Sequence, residues 1–286
     1  MSAHDSSERV RFLREAIAGI EQAGGGVAAA GVRSIAMGRA GHSAFSFDRA
    51  LGGLATGALY EVAPSRMSDL AAACGFALGL VTRFAAEAPG AIVWVSDEFS
   101  AHENGSPYGP GLARHGLDPG RLVFVRTSTG PDLLWALEEA ARCKGNAAVV
   151  ADIRGAGKLF DLVAARRITQ AARTSGTPVI LIHPPASFHG GMAQNGARMR
   201  FEVQSRPSVM PAQIPRAVPT TRAVPGPAHW GVRFAKPGVE AGRLRGLDTE
   251  LVRTIIWEHE NGFFRDALSL ALPATSGFRD RPAQSA

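Results

Sequence analysis

Two hydrophobic patterns alternate along this chain from residue 58 to residue 183: short continuous apolar runs, and longer stretches with apolar positions three to four residues apart. Continuous apolar runs of this length are typical of strands buried on both faces, and the intervening spacing is typical of amphipathic helices. Strands that alternate with helices predict a mostly parallel sheet flanked by helices, an α/β fold. The apolar runs are ALYEVA, AIVWVS, RLVFVR, AAVVAD and PVILIH.

A different pattern precedes this core. Residues 6–23 place apolar side chains at helical spacing, and the glycine-rich residues 24–31 then break the pattern. We interpret 1–31 as an N-terminal helix and linker, because a phosphate-binding alternative for the glycines would need a preceding strand. The predicted core is 32–205.

The pattern changes again after the core. Residues 206–228 carry closely spaced prolines, which exclude a helix or a central strand and predict an extended linker. Residues 229–286 contain short strand-like runs and an Asn261-Gly262 turn, so we expect a small C-terminal strand and hairpin subdomain with a tail. We therefore expect the core to fold without 206–286.

Composition narrows the class of protein. The chain has 286 residues, 45% of them hydrophobic and 20% charged, and no uninterrupted apolar run has the length of a membrane span or a signal sequence, so we expect a cytoplasmic protein without a membrane partner. Cys74 and Cys143 lack metal-ligand spacing and are interpreted as buried thiols. The net charge of +6 arises mainly in residues 183–286, which hold 13 basic and 8 acidic side chains.

One motif connects the core to known proteins. The segment LGGLATGALYEV at 51–62 resembles the entry to the core of the RecA recombinase superfamily, where such a turn leads into a strand and then a phosphate-binding loop. The stretch from 51 to about 205 resembles the ImuA family of bacterial mutagenesis-cassette proteins, which is related to the cell-division inhibitor SulA. The resemblance implies a RecA-like fold with a mostly parallel sheet.

The phosphate-binding loop of that superfamily is degenerate here. A working loop, G-x-x-x-x-G-K-[ST], needs glycines for a backbone cradle, a lysine for the terminal phosphates and a hydroxyl for magnesium. Ala63 and Ser68 replace the glycines, Asp69 replaces the lysine and Leu70 replaces the hydroxyl residue. A carboxylate close to phosphate repels it by about 4 kcal/mol at an effective dielectric near 20. We interpret Asp69 as a first-turn acid of the next helix and predict no nucleotide cofactor.

Some acidic positions of the superfamily are retained. Glu98 lines up with the glutamate that activates water in RecA-like ATPases, and Asp152 lines up with the strand-end aspartate near magnesium. An ATPase with an unconventional site around Glu98, Asp152 and Lys158 is therefore one alternative. Asp97 and Glu98 with His102 and Glu103 have the chemistry of a metal cluster, but we interpret them as solvated loop acids. No nucleophile or zinc motif is present, so we predict no catalytic residue, no metal and no enzyme activity.

The excess of arginine after the core suggests a contact surface. Between 189 and 239 the only acidic residue is Glu202, and the position of this segment resembles that of the DNA-contacting loop of RecA. Flexible basic segments bind phosphates of single-stranded DNA or an acidic partner protein, and both alternatives stay open. The contact candidates are Arg198, Arg200, Arg206, Arg216 and Arg222.

The ImuA resemblance implies a function. It implies a non-catalytic accessory protein of damage-induced (SOS) translesion DNA synthesis and mutagenesis, which acts as a RecA-like scaffold. The implied partners are the polymerase-like ImuB and an error-prone replicative-type DNA polymerase, with RecA and a weak single-stranded DNA contact as further ones. The alternative functions are a SulA-like cell-division inhibitor and the unconventional ATPase.

Overall fold

The apolar runs form the centre of a nine-stranded sheet. The computed structural model describes residues 34–35, 47, 51, 53–156, 159–185, 196–208, 227–236 and 248–267. The strands are β1 Ser34–Ile35, β2 Leu54–Ala55, β3 Leu59–Pro64, β4 Ala91–Asp97, β5 Leu122–Thr127, β6 Asn146–Asp152, β7 Val179–Ile182, β8 Met199–Arg206, β9 His229–Lys236, β10 Arg253–Glu258 and β11 Phe263–Asp266. The helices are α1 Leu70–Glu87, α2 Glu98–Asn104, α3 Gly109–His115, α4 Gly130–Arg142 and α5 Leu162–Ser175, with 3-10 turns at Met67–Asp69 and Pro119–Arg121.

The large sheet has the order β11-β10-β9-β8-β3-β7-β6-β4-β5. From β8 through β3, β7, β6 and β4 to β5, every pair of neighbouring strands is parallel. From β8 through β9 and β10 to β11, every pair of neighbouring strands is antiparallel. β1 and β2 pair separately in a two-stranded antiparallel sheet. The prediction of an α/β fold with a mostly parallel sheet is confirmed.

Helices cover both faces of the parallel part, where the inner strands β3, β4, β6 and β7 are buried along almost their whole length. α1 packs on one face, against β3, β6, β7 and β8. α4 and α5 pack side by side on the other face, where Leu133, Leu137 and Ala165 meet Val149 and Leu181 in a second apolar cluster. Thr129 and Asp161 fix the starts of these two helices, since their side chains accept hydrogen bonds from main-chain N–H groups in the first turns.

α1 is the central helix of the fold. Residues Met67–Glu87 match a membrane-spanning helix in length and hydropathy, and 61% of their most apolar window is buried inside the protein. Apolar residues occur all around α1 because the sheet lies on one side of it and α3 and β11 contact it as well. Its hydropathy therefore reflects a position in the core.

The described C-terminal strands extend the core sheet and pack on α1. Trp230, Trp257 and Phe264 are at most 4% exposed and belong to the same apolar cluster as α1. The rings of Trp230 and Phe264 occupy the space that side chains would fill at two glycines of α1. A Cβ at Gly75 would lie 2.8 Å from the Trp230 ring, and one at Gly79 would lie 2.7 Å from Phe264. Deletion of 206–286 would expose this aromatic layer, and the expectation that the core folds without these residues stays a prediction.

Several predicted features lie outside the described residues. They are the N-terminal helix and linker at 1–31, the greater part of the linker at 206–228, and the tail after residue 267. Lys158, Arg216 and Arg222 also lie outside them. These predictions stand as made.

Candidate functional site

The degenerate phosphate loop lies at the carboxyl edge of the parallel strands, where sheets of this class place their binding sites. Residues 65–69 connect β3 to α1 and end in the 3-10 turn. Two N–H groups of this connection already donate hydrogen bonds within the protein, Ser65 N to Val203 O at 2.8 Å and Asp69 N to Arg66 O at 2.9 Å. A phosphate cradle needs such groups free to face the ligand.

Asp69 occupies the N-cap position of α1, the position that would favour a bound anion. Its side chain is fully buried and accepts hydrogen bonds from Ser205 N at 3.0 Å, from Ser205 Oγ at 2.5 Å and from Arg66 Nε at 3.3 Å. No N–H group of α1 bonds to this carboxylate. Asp69 is therefore structural, as the sequence indicated, but it joins the start of α1 to β8 and does not cap its own helix.

The hydrogen bonds to Asp69 also set its charge. Burial alone would raise the pKa of its carboxyl group, but the hydrogen bonds from Ser205 and Arg66 outweigh burial and hold the pKa below its ordinary value. Asp69 is thus a fixed negative charge at the place where a nucleotide phosphate would need to bind.

Asp152, at the end of β6, forms an ion pair with Arg154. Arg154 contacts both carboxylate oxygens of Asp152, with Nε donating to Oδ1 at 2.8 Å and a second guanidinium nitrogen reaching Oδ2. Both side chains are 8% exposed. Burial alone would lower the pKa of Arg154, but the bonds to Asp152 raise it, so the pair stays charged. Both carboxylate oxygens with which Asp152 could bind a metal therefore already accept hydrogen bonds from Arg154.

The two acids at the end of β4 have different environments. Asp97 is buried and caps α2, where it accepts hydrogen bonds from Ser100 N at 2.7 Å and Ser100 Oγ at 2.9 Å. Glu98 is exposed and accepts one long hydrogen bond from Ser128 Oγ at 3.4 Å. Sequence reasoning treated both as loop acids, but Asp97 is a helix cap.

The metal-cluster alternative can be examined in the part of the chain that the structure describes. There, no three histidine, cysteine, aspartate or glutamate side chains come together as metal ligands. His102 and Glu103 lie exposed on α2, whereas Asp97 is committed to the start of that helix.

The described members of the basic contact set differ in accessibility. Arg200 lies on β8 opposite Glu61 of β3, and its Nε donates to Glu61 Oε2 at 2.5 Å. Glu61 is fully buried and also lies 3.3 Å from His183 Nε2, and these two partners lower its pKa against the effect of burial. Arg200 therefore does not fit the predicted contact role. Arg206 is exposed at the end of β8.

Arg198 lies in the loop just before β8, as expected, but it is not fully exposed. It is half-buried, and its main-chain N–H donates to Leu59 O at 2.7 Å, which ties the segment before β8 to the core. Of the described candidates, only Arg206 has the exposure that a contact residue needs.

Comparisons with known proteins identify a relative. No family model matches this chain. The protein ImuA of Caulobacter vibrioides, in strains NA1000 (CB15N) and ATCC 19089 (CB 15), is 28% identical to it over 187 residues, which are 65% of this chain and 72% of the relative. ImuA is therefore a distant relative of this chain. The resemblance to ImuA stated for residues 51 to about 205 is confirmed.

The chain has a further surface, which its sequence did not predict. α4 and α5 lie side by side, and the groove between them has a volume of about 610 Å³. Trp135 lies on α4 and is 65% exposed. The signal in the sequence was a tryptophan on the polar face of an amphipathic helix, but its pairing with α5 depends on strand order.

Proposed function

We propose that the chain is a non-catalytic accessory protein of damage-induced (SOS) translesion DNA synthesis and mutagenesis, which acts as a scaffold for a polymerase-like partner. Similarity to ImuA associates the chain with the bacterial mutagenesis cassette. The scaffold role, the translesion step and the partners are the parts that we propose. The partners implied are ImuB and an error-prone replicative-type polymerase.

One observation carries the non-catalytic part of the proposal. The carboxylate of Asp69 occupies the N-terminal position of α1 and is held there by Ser205, which lies 136 positions away in the sequence. ATP binding would require a phosphate to approach a buried, ionised carboxylate, which costs about 4 kcal/mol at an effective dielectric near 20. The loop has neither a lysine nor a magnesium-binding hydroxyl with which to offset that cost.

The unconventional ATPase is the weaker alternative. It depends on Glu98, Asp152 and Lys158, and Asp152 is engaged on both oxygens by Arg154. A magnesium ion would have to displace a buried guanidinium before it could bind there, and breaking a buried ion pair leaves an uncompensated charge. Glu98 by itself lacks a phosphate to act on.

Titration calorimetry of the purified protein with ATP and magnesium tests the non-catalytic part. We expect no saturable heat, with a working RecA-type ATPase as the positive control under the same conditions. Asp69→Asn, which removes the negative charge and keeps the shape, should also bind no ATP, because the lysine and hydroxyl are still missing. Saturable micromolar binding by either protein would contradict the proposal.

The cellular part needs a separate test. Deletion of the gene should abolish damage-induced mutagenesis, whereas Glu98→Gln should leave it intact, because Glu98 performs no chemistry in this proposal. Loss of mutagenesis in Glu98→Gln would favour the ATPase. Filamentation on overexpression, with mutagenesis intact in the deletion strain, would favour the division inhibitor.

A further inference from the structure

The exposed tryptophan is the starting point. Of the four tryptophans, Trp94, Trp230 and Trp257 are at most 8% exposed, whereas Trp135 on α4 is 65% exposed. Val163, in the first turn of α5, is 62% exposed. Leu159 is 47% exposed and lies beside the start of α4, where a Cβ at Gly130 would be 2.6 Å from it. The second turn of α4, the first turn of α5 and the segment before α5 each carry an exposed apolar side chain, and we call Trp135, Val163 and Leu159 together the apolar patch.

The other end of the α4–α5 groove is basic. Arg142, Lys144, Arg166 and Arg167 line it together with a single acid, Glu138. Glu138 is 5% exposed, and both Arg142 and Arg167 form ion pairs with it. Its charge is therefore already neutralised inside the protein, and the groove presents a net positive surface.

Two of these cations have no ion-pair partner among the described residues. Among the residues that the structure describes, Arg142 pairs with Glu138 and Glu139, and Arg167 pairs with Glu138, while Lys144 and Arg166 pair with none. Both unpaired side chains are exposed. They are the groups with which an anionic ligand would gain the most.

Helix dipoles do not account for this arrangement. A cation in the last turn of a helix is stabilised by the dipole, and this explains Arg142 at the end of α4. Arg166 and Arg167, however, lie in the second turn of α5, where the dipole offers cations nothing. Their position is therefore not explained by the stability of α5.

The apolar patch and the basic end belong to one continuous surface. Trp135, Glu138 and Arg142 are spaced i, i+3, i+7 on α4, and Val163, Arg166 and Gln170 have the same spacing on α5, so each set lies along one side of its helix. α4 connects β5 to β6, which are separated in the sheet by β4, α5 connects β6 to its neighbour β7, and the two helices pack against each other. The guanidinium groups line the groove, and Trp135 and Val163 lie one helical turn before Glu138 and Arg166 on the same sides of α4 and α5.

We propose that this α4–α5 groove is the docking site for an acidic amphipathic helix of a partner protein, with an apolar side chain on Trp135 and Val163 and carboxylates on Lys144 and Arg166. The inference rests on the proposed scaffold function and assigns a surface to it. Tryptophan and arginine are the residues that dominate binding energy at protein interfaces. The exposed aliphatic side chains of Val163 and Leu159 favour a protein over a nucleic acid, because the charged phosphates of a nucleic acid gain no favourable contact with them.

Trp135 is a natural reporter for a direct test. Because the other tryptophans are buried, acrylamide quenching of the full-length protein reports mainly on Trp135. The probe is a peptide of about 20 residues whose leucines and glutamates repeat at i, i+3, i+4 and i+7. As a helix it is about 30 Å long, which exceeds the length of about 20 Å of α4 and α5. The peptide should protect Trp135 from quenching, and a scrambled peptide of equal composition should not.

Variants locate the contact by anisotropy of a labelled peptide. Arg166→Glu with Lys144→Glu should weaken affinity about tenfold or more, and Trp135→Ala should also weaken it. The matched controls are Arg114→Glu and Tyr108→Ala, an exposed cation and an exposed aromatic on and beside α3, and they should change affinity less than about twofold. Equal loss in the controls, or protection by the scrambled peptide, would overturn the proposal.

A last pair of measurements separates this inference from the proposed function. Protection of Trp135 by a single-stranded oligonucleotide but not by the acidic peptide would overturn the protein-helix assignment in favour of nucleic acid. If the groove variants keep damage-induced mutagenesis while the gene deletion loses it, the groove assignment is wrong and the scaffold function stands. If the deletion also keeps mutagenesis, the proposed function itself fails.

Discussion

Replacing Asp69 by alanine should destabilise the fold, although the position belongs to what would be a catalytic loop in a working ATPase. The substitution removes two hydrogen bonds from Ser205 to a buried carboxylate and leaves the Ser205 N–H without its acceptor. Hydrogen bonds to charged groups contribute about 1.5–3 kcal/mol each, and a buried unsatisfied group costs a similar amount. We expect a loss of about 2–4 kcal/mol in the free energy of unfolding.

The partner of Asp69 can be tested by a double-mutant cycle. Ser205→Ala removes the hydroxyl donor and keeps the main-chain one, so it should cost about 1–2 kcal/mol, less than Asp69→Ala. The two substitutions should be non-additive by about 1 kcal/mol, because they remove the same contact. Glu103→Ala, at an exposed acid of α2, is the control and should stay within about 0.5 kcal/mol.

Urea unfolding followed by circular dichroism measures these differences, and pH provides a second check. Because the pKa of Asp69 is lower in the folded protein than in the unfolded chain, its stabilisation is present above the unfolded pKa and is lost as pH falls through the folded pKa. The gap between the wild-type protein and Asp69→Ala should therefore be constant near neutral pH and narrow below about pH 4. A cost no larger than that of Glu103→Ala, or full additivity with Ser205→Ala, would refute the reasoning.

Three further predictions concern the core and the thiols. Gly79→Val should lower the melting temperature by several degrees or abolish cooperative folding, because its Cβ would overlap the Phe264 ring. Arg200→Ala should cost about 3 kcal/mol in urea unfolding, since it leaves the buried carboxylate of Glu61 with His183 as its partner and without the guanidinium. Arg206→Ala should cost less than about 0.5 kcal/mol, and equal effects of the two substitutions would contradict the buried pair. A thiol reagent at pH 8 should modify Cys143, which is exposed although the sequence predicted a buried thiol. The reagent should spare Cys74, because burial raises the pKa of that thiol to about 11. Rapid reaction of two thiols would disprove this prediction.

The sequence by itself determined the central sheet and the loss of the phosphate loop. Strands such as AAVVAD are apolar at every position, and only a sheet covered on both faces buries such a run, so local pattern was sufficient for the parallel core. The loss of the loop followed equally directly. Asp69 and Leu70 cannot supply the lysine and hydroxyl chemistry, whatever the surroundings.

Only the tertiary structure decided what the polar residues do. Asp69 bonds to Ser205 and Arg200 bonds to Glu61 across more than 130 positions of sequence, and no local periodicity encodes such pairs. For the same reason, the sequence does not distinguish an arginine that pairs with a buried acid from an arginine that is exposed to solvent.

The C-terminal strands and the α4–α5 groove depended on tertiary structure in the same way. A strand with one apolar face has the same pattern whether it packs in a hairpin subdomain or on α1, and the aromatic rings over Gly75 and Gly79 decide between the two. The groove exists because β6 lies beside β7 and one strand from β5 in the sheet, which brings α4 and α5 together. Strand order is a property of the whole chain, since it depends on which non-local pairing buries the most apolar surface.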